Sequence, residues 1–117
     1  MALDTAPDGA HTTASDALWA GVPIVTLPGA TFASRVAGSL LHAVGMPELI
    51  ARDEEDYFDL ALTMAEEPAV LARSKAKLAN NRLNAPLFDV EAYTRAIEAL
   101  FATMCLRHRD GLLRAAI

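Results

Sequence analysis

Apolar residues recur along this chain mostly at the spacing of a helix, and a continuously apolar stretch is short and rare. Leu18 and Trp19 close a first helical segment over residues 13–20, where both are expected to be buried and Gly21 supplies the stop. Residues 23–27, with Ile24, Val25 and Leu27 ahead of Pro28-Gly29, read as a strand. An apolar strand between two helices implies a parallel sheet covered on both faces. A second helix spans residues 32–44, with Val36, Leu40 and Val44 on one face, Leu41 beside them, and Gly45 as its end. Residues 48–51 read as a short strand or extended piece.

The downstream half is helical by the same criterion. Acids crowd residues 53–56 at the start of a third helix, where the macrodipole favours them. Tyr57, Leu60, Ala61 and Met64 follow as its buried face. Pro68 suits the first turn of a fourth helix over residues 69–83, whose Arg73, Lys75, Lys77 and Arg82 read as a solvated face. Asp89 is a good N-cap for a last helix, residues 90–107. There Tyr93, Ile97, Leu100, Phe101 and Met104 form a stripe that reads as core. Residues 108–117 read as a frayed tail.

Composition narrows the picture. Hydrophobic residues make up 53% of the 117 and aromatics 6%, so Ala and Leu must do most of the packing, which suits a helix-rich α/β unit. A formal net charge of -5 argues against a broad nucleic-acid surface. It does not exclude a nucleotide, because a diphosphate is held by local N–H groups. Cys105 has no cysteine partner and sits in an apolar helical pattern, so it reads as a buried, inert thiol. No run of residues reaches membrane-spanning length and no leader pattern stands at the start, so the cytoplasm is the default location and no membrane partner is expected.

Candidate chemistry gathers at His11-Thr12-Thr13-Ala14-Ser15-Asp16. Thr12 and Thr13 suit a helix start, and Asp16 follows Thr13 at nearly the spacing of a capping box. Plain capping accounts for that much. A helix start also offers free N–H groups and the positive end of the dipole to a phosphate. His11 stands just ahead of the cap, and Leu3-Asp4-Thr5 looks like a strand end. The motif therefore falls at a strand-to-helix turn, where open α/β sheets place ligands.

These residues carry a resemblance. His11-Thr12-Thr13, Asp16-Ala17-Leu18-Trp19, Gly21-Val22-Pro23, Thr26-Leu27-Pro28-Gly29 and Ala33-Ser34-Arg35-Val36-Ala37 run in the order seen in O-linked N-acetylglucosamine transferases and the related SPINDLY proteins. The likeness continues through Glu48-Leu49-Ile50-Ala51, Tyr57 and Leu60-Ala61 to Pro86-Leu87-Phe88-Asp89. It implies an α/β fold: part of the C-terminal, Rossmann-like lobe of a GT-B glycosyltransferase, mostly helical with two or three short parallel strands. Residues 1–117 would be one partial domain, a nucleotide-sugar-binding lobe with C-terminal helices over residues 54–107.

The same resemblance implies the chemistry. The N–H groups of Thr12 and Thr13 would hold the diphosphate of a UDP-sugar, His11 would lie beside the phosphates and sugar, and Asp16 would take the ribose hydroxyls. No metal and no further cofactor are implied, and no residue is assigned a catalytic role. The donor would be UDP-N-acetylglucosamine and the acceptor a protein Ser or Thr. The loop 6–10 departs from the animal enzymes, which carry a cysteine near Asp8, and a GDP-sugar in the SPINDLY manner is the alternative donor. The acceptor would be presented by parts upstream of Met1, so the chain alone is expected to transfer nothing. The terminal helix would face the other lobe, and its bare surface makes a homo-oligomer or a non-catalytic association module the rival reading.

Overall fold

The computed structural model describes residues 1–112. Two parallel strands, β1 (Ala2–Leu3) and β2 (Ile24–Val25), pair in the register Ala2 with Ile24 and Leu3 with Val25. Thr26 extends the sheet by a parallel bridge to Ile50, so the extended piece expected near residues 48–51 is present as a single paired residue. A 3₁₀ turn, Pro47–Leu49, takes up the rest, because Pro47 sets its first position. The strand expected over residues 23–27 is likewise reduced to two ladder residues and a bridge.

Helix α1 (Thr12–Trp19) links the strands. It ends where Gly21 adopts φ 77°, letting the amides of Gly21 and Val22 bond back to Leu18 and Ala17. The second predicted helix is broken. A 3₁₀ turn, Ala33–Arg35, precedes α2 (Val36–Ala43). Ala37, Gly38 and Leu41, with Val44 at its C-cap, are buried; Leu41 and Val44 are as expected, whereas Val36 and Leu40 are half-buried. At the entry to α2 the Ser34 hydroxyl donates to the Thr31 carbonyl at 3.0 Å.

Helices α3 (Glu54–Glu66) and α4 (Pro68–Asn84) pack against one another, with Met64 and Leu78 buried. The Asp53 carboxylate accepts the Asp56 amide, as its N-cap position requires. From α4, Asn81 donates to the carbonyls of Val44 and Gly45 at 2.9 and 3.2 Å. Arg82 donates to Trp19 O at 2.6 Å. One helix thus satisfies the open carbonyl ends of two others. Arg82 is therefore no part of a solvated face, unlike Lys77, which reaches Glu48 at the surface.

Two expected burials fail. Trp19 remains 57% exposed. Phe88 meets its ring edge-on at 5.0 Å and the Arg82 guanidinium lies 5.4 Å from its centroid, but more than half of the side chain stays uncovered by the described residues. Helix α5 (Val90–Arg109), capped by Asp89 through the Ala92 amide, has no buried residue at all. Its stripe is open to solvent, with Tyr93 66% and Phe101 59% exposed, and Cys105 is exposed as well. Among the described residues its main packing partner is the 3₁₀ turn Pro86–Phe88, which leaves most of its apolar side uncovered. The result is a long molecule, 59 × 30 × 19 Å, with a radius of gyration of 17.2 Å. A compact chain of this length would have about 13 Å. The helix also runs two residues past the predicted end, into the segment read as frayed, while residues 113–117 lie outside the described residues.

Candidate functional site at the start of the first helix

The site is built from the residue that ends β1. Asp4 is nearly buried, and its carboxylate is shared among three donors: the amides of Thr5 at 2.9 Å and Ala10 at 2.5 Å, and the Thr26 hydroxyl at 2.6 Å. A buried charge with that many partners is stable, and removing it would strand each donor. Through Asp4 the end of β1, the loop 5–10 and the end of β2 become one rigid piece. Tyr57 adds a fourth tie, donating to the Asp4 carbonyl at 2.6 Å. Burial, and then the Asp4 charge, raise the Tyr57 pKa above its usual value and keep it a donor.

The loop then runs close against the turn at Ala33–Arg35. Gly9 has φ 73°, and a Cβ there would meet Ala33 O at 3.1 Å, so backbone lies on backbone. His11 comes next. Its Nε2 is 3.1 Å from the Ala33 carbonyl, which can only accept, so this nitrogen is the donor of the contact. Across the loop, Gly29 has no room for a side chain, since a Cβ would sit 2.7 Å from Ser34 Oγ. Arg35 holds this second loop by donating from Nε to Gly29 O at 3.1 Å.

His11 is the N-cap residue of α1, and the helical hydrogen bonds begin with the Ser15 amide on His11 O. Thr12 and Thr13 lie inside the helix, so the capping role read for them from sequence is not what they do. No side chain caps this end, and its first turn holds no acid. The amides of Thr12, Thr13 and Ala14 face outward from a positive dipole end. Asp16 is exposed, one turn along on the face of Thr12. Its carboxylate has no partner among the hydrogen bonds and ion pairs of the described residues. All four residues singled out in the sequence thus come together at one exposed helix end.

Beside this end, at the carboxyl ends of both strands, lies an open cleft of about 270 Å³. Thr5, Ala6, Pro7 and Gly9 form one wall, and residues 27–31 with Ser34 the other. The four predicted residues stand outside it, at its edge. Sequence reasoning missed the structural role of Asp4, for which an acid directly after an apolar strand and before a Pro-Asp-Gly turn was the available signal. Among the described residues no cluster of His, Cys, Asp and Glu is arranged to hold a metal, and no helix is long and apolar enough to cross a membrane.

Comparison with known proteins fits this geometry. The model of glycosyl transferase family 41 matches residues 1–97. The UDP-N-acetylglucosamine--peptide N-acetylglucosaminyltransferase of Caenorhabditis elegans is 39% identical over 96% of the chain, which corresponds to 10% of that protein. The probable enzyme SPINDLY of Hordeum vulgare is 36% identical over 95% of the chain and 12% of its own length. A mutant O-GlcNAc transferase from Thermobaculum terrenum superposes with a TM-score of 0.82 at 38% identity, over 89% of this chain and 20% of that one. The chain therefore spans about a tenth of the curated relatives it matches, and its fold is that of part of a GT-B glycosyltransferase. By sequence and by fold alike, it belongs to glycosyl transferase family 41.

Proposed function

We propose that this chain is the donor half-site of a protein O-glycosyltransferase. The uncapped start of α1, held at the carboxyl end of the sheet in a chain of this family, carries the reading. The diphosphate of a UDP-sugar rests on the amides of Thr12 and Thr13, beside His11. Asp16 accepts the two ribose hydroxyls, for which a carboxylate is a bidentate acceptor. The donor is UDP-N-acetylglucosamine, the donor in the names of the relatives. In transfer, a Ser or Thr hydroxyl oxygen of an acceptor protein bonds to the anomeric carbon as its O–H bond breaks, the proton passing to the leaving diphosphate or to solvent. The bond from that carbon to the diphosphate oxygen breaks, and UDP leaves. The N–H groups of α1 stabilise the charge that builds on the leaving diphosphate. Acceptor positioning requires groups beyond these residues, so the chain by itself binds and does not transfer.

Calorimetric titration of UDP into the chain tests the reading. Asp16→Ala should weaken binding by about 1–3 kcal/mol, the cost of leaving both hydroxyls unpaired. Equal UDP affinity in the variant and its parent would refute the site. GDP titrated in parallel separates the alternative donor class.

The bare stripe of α5 favours a second reading, in which the chain associates with a copy of itself. Val90, Tyr93, Ile97, Leu100 and Met104 follow a three-four spacing along the helix. Glu91 pairs with Arg95 and Arg109 lies 3.9 Å from Asp110 within the same segment, so the apolar spacing and not charge carries this reading. A monomer by light scattering at high concentration would exclude it.

A further inference from the structure

We propose that Phe32 is the platform for the sugar ring of the donor, a role that rests on the donor-site reading above. Phe32 is 84% exposed, more than any other large apolar side chain of the described residues. Its backbone is nevertheless fixed. Its carbonyl accepts the Arg35 amide at 3.1 Å, and the neighbouring Thr31 hydroxyl bonds to Ser34. The ring stands edge-on to His11, with centroids 6.4 Å apart and planes at 87°. His11 is itself tethered to Ala33 O, so the pair forms a held corner ahead of the first turn of α1.

A nucleotide sugar runs in one line from base to ribose to diphosphate to sugar. With the diphosphate on the helix start and the ribose at Asp16, one turn along, the sugar must leave in the opposite direction. That direction holds His11, Phe32 and the mouth of the cleft, whose near wall is the apolar run Leu27, Pro28 and Ala30. A pyranose turns a face of C–H groups outward, and an aromatic face, negative at its centre, attracts such hydrogens. An exposed ring on a fixed backbone is placed to give this contact at little entropic cost.

The test is calorimetry on the full chain with two probes, UDP and UDP-N-acetylglucosamine. The wild-type chain should bind the sugar nucleotide more tightly than UDP. Phe32→Ala should lower affinity for UDP-N-acetylglucosamine by about three- to tenfold, leave UDP unchanged, and leave the melting temperature where it was, since the ring covers no core. Phe32→Tyr should keep the preference. Equal loss for both probes, or no loss for either, overturns the platform and turns attention to the acceptor side. A wild-type chain that does not bind UDP at all overturns the donor site itself, a result distinct from the failure of Phe32.

Discussion

Helices α1 and α5 both present apolar side chains at helical spacing, yet α1 buries Ala14 and Leu18 completely while α5 buries nothing. The difference lies in what stands opposite. The strands, α2 and α4 cover α1, and Arg82 closes its carbonyl end. Among the described residues, the main contact of α5 is a short 3₁₀ turn. Periodicity defines a face, and the presence of a cover is a separate fact decided by topology. The packed region, residues 1–88, should accordingly behave as the cooperative unit, with α5 as an appendage whose apolar side adds little to folding.

The largest effect should come from the core of that unit. Leu41→Ala removes a fully buried side chain and should cost about 2–5 kcal/mol by denaturant unfolding. Phe101→Ala on α5 should change stability by less than about 0.5 kcal/mol. A comparable cost at Phe101 would break the contrast and show that the stripe is covered in solution. Next in size is Asp4→Ala, which strands the amides of Thr5 and Ala10 and the Thr26 hydroxyl, and should cost about 1–3 kcal/mol. Because the same change frees the loop leading into α1, it should also weaken UDP binding, whereas Asp16→Ala should weaken binding with stability intact.

The smallest effect concerns acid titration. The Arg52 guanidinium bonds the Asp56 carboxylate and lowers its pKa from 3.8 to about 2, the Arg52 amide helping. A depressed carboxylate stabilises the folded chain at pH above 3.8, and that contribution disappears as pH falls through 2. The pair is at the surface, so the change in stability should be slight. Carboxyl NMR titration checks it directly: Arg52→Ala should return the Asp56 midpoint toward 3.8.

Much of the local chemistry was legible in the sequence, although the capping role of Thr12 and Thr13 and the unbroken helix over residues 32–44 were misread. Pro68 and Asp89 marked helix starts, Gly21 and Gly45 marked helix ends, and His11, Thr12, Thr13 and Asp16 marked the candidate site. What escaped depends on partners far along the chain. The buried role of Asp4 needs Thr26 and Tyr57, 22 and 53 positions away. Arg82 looked like one of four solvated bases because its partner, the Trp19 carbonyl, is 63 positions distant. Trp19, Cys105 and the stripe of α5 looked like core for the same reason. Their spacing was right, but among the described residues Trp19 is covered on one side only, by Phe88 and Arg82, and the α5 side chains stay largely exposed.

The donor site at the start of α1 is the claim on which the functional account depends, and amide chemical-shift mapping during a UDP titration tests it most directly. The account predicts that the amides of Thr12, Thr13 and Ala14 move first and furthest, that Asp16→Ala reduces their response, and that α5 stays silent. Shifts centred on α5, or a titration that leaves those three amides in place, would contradict it.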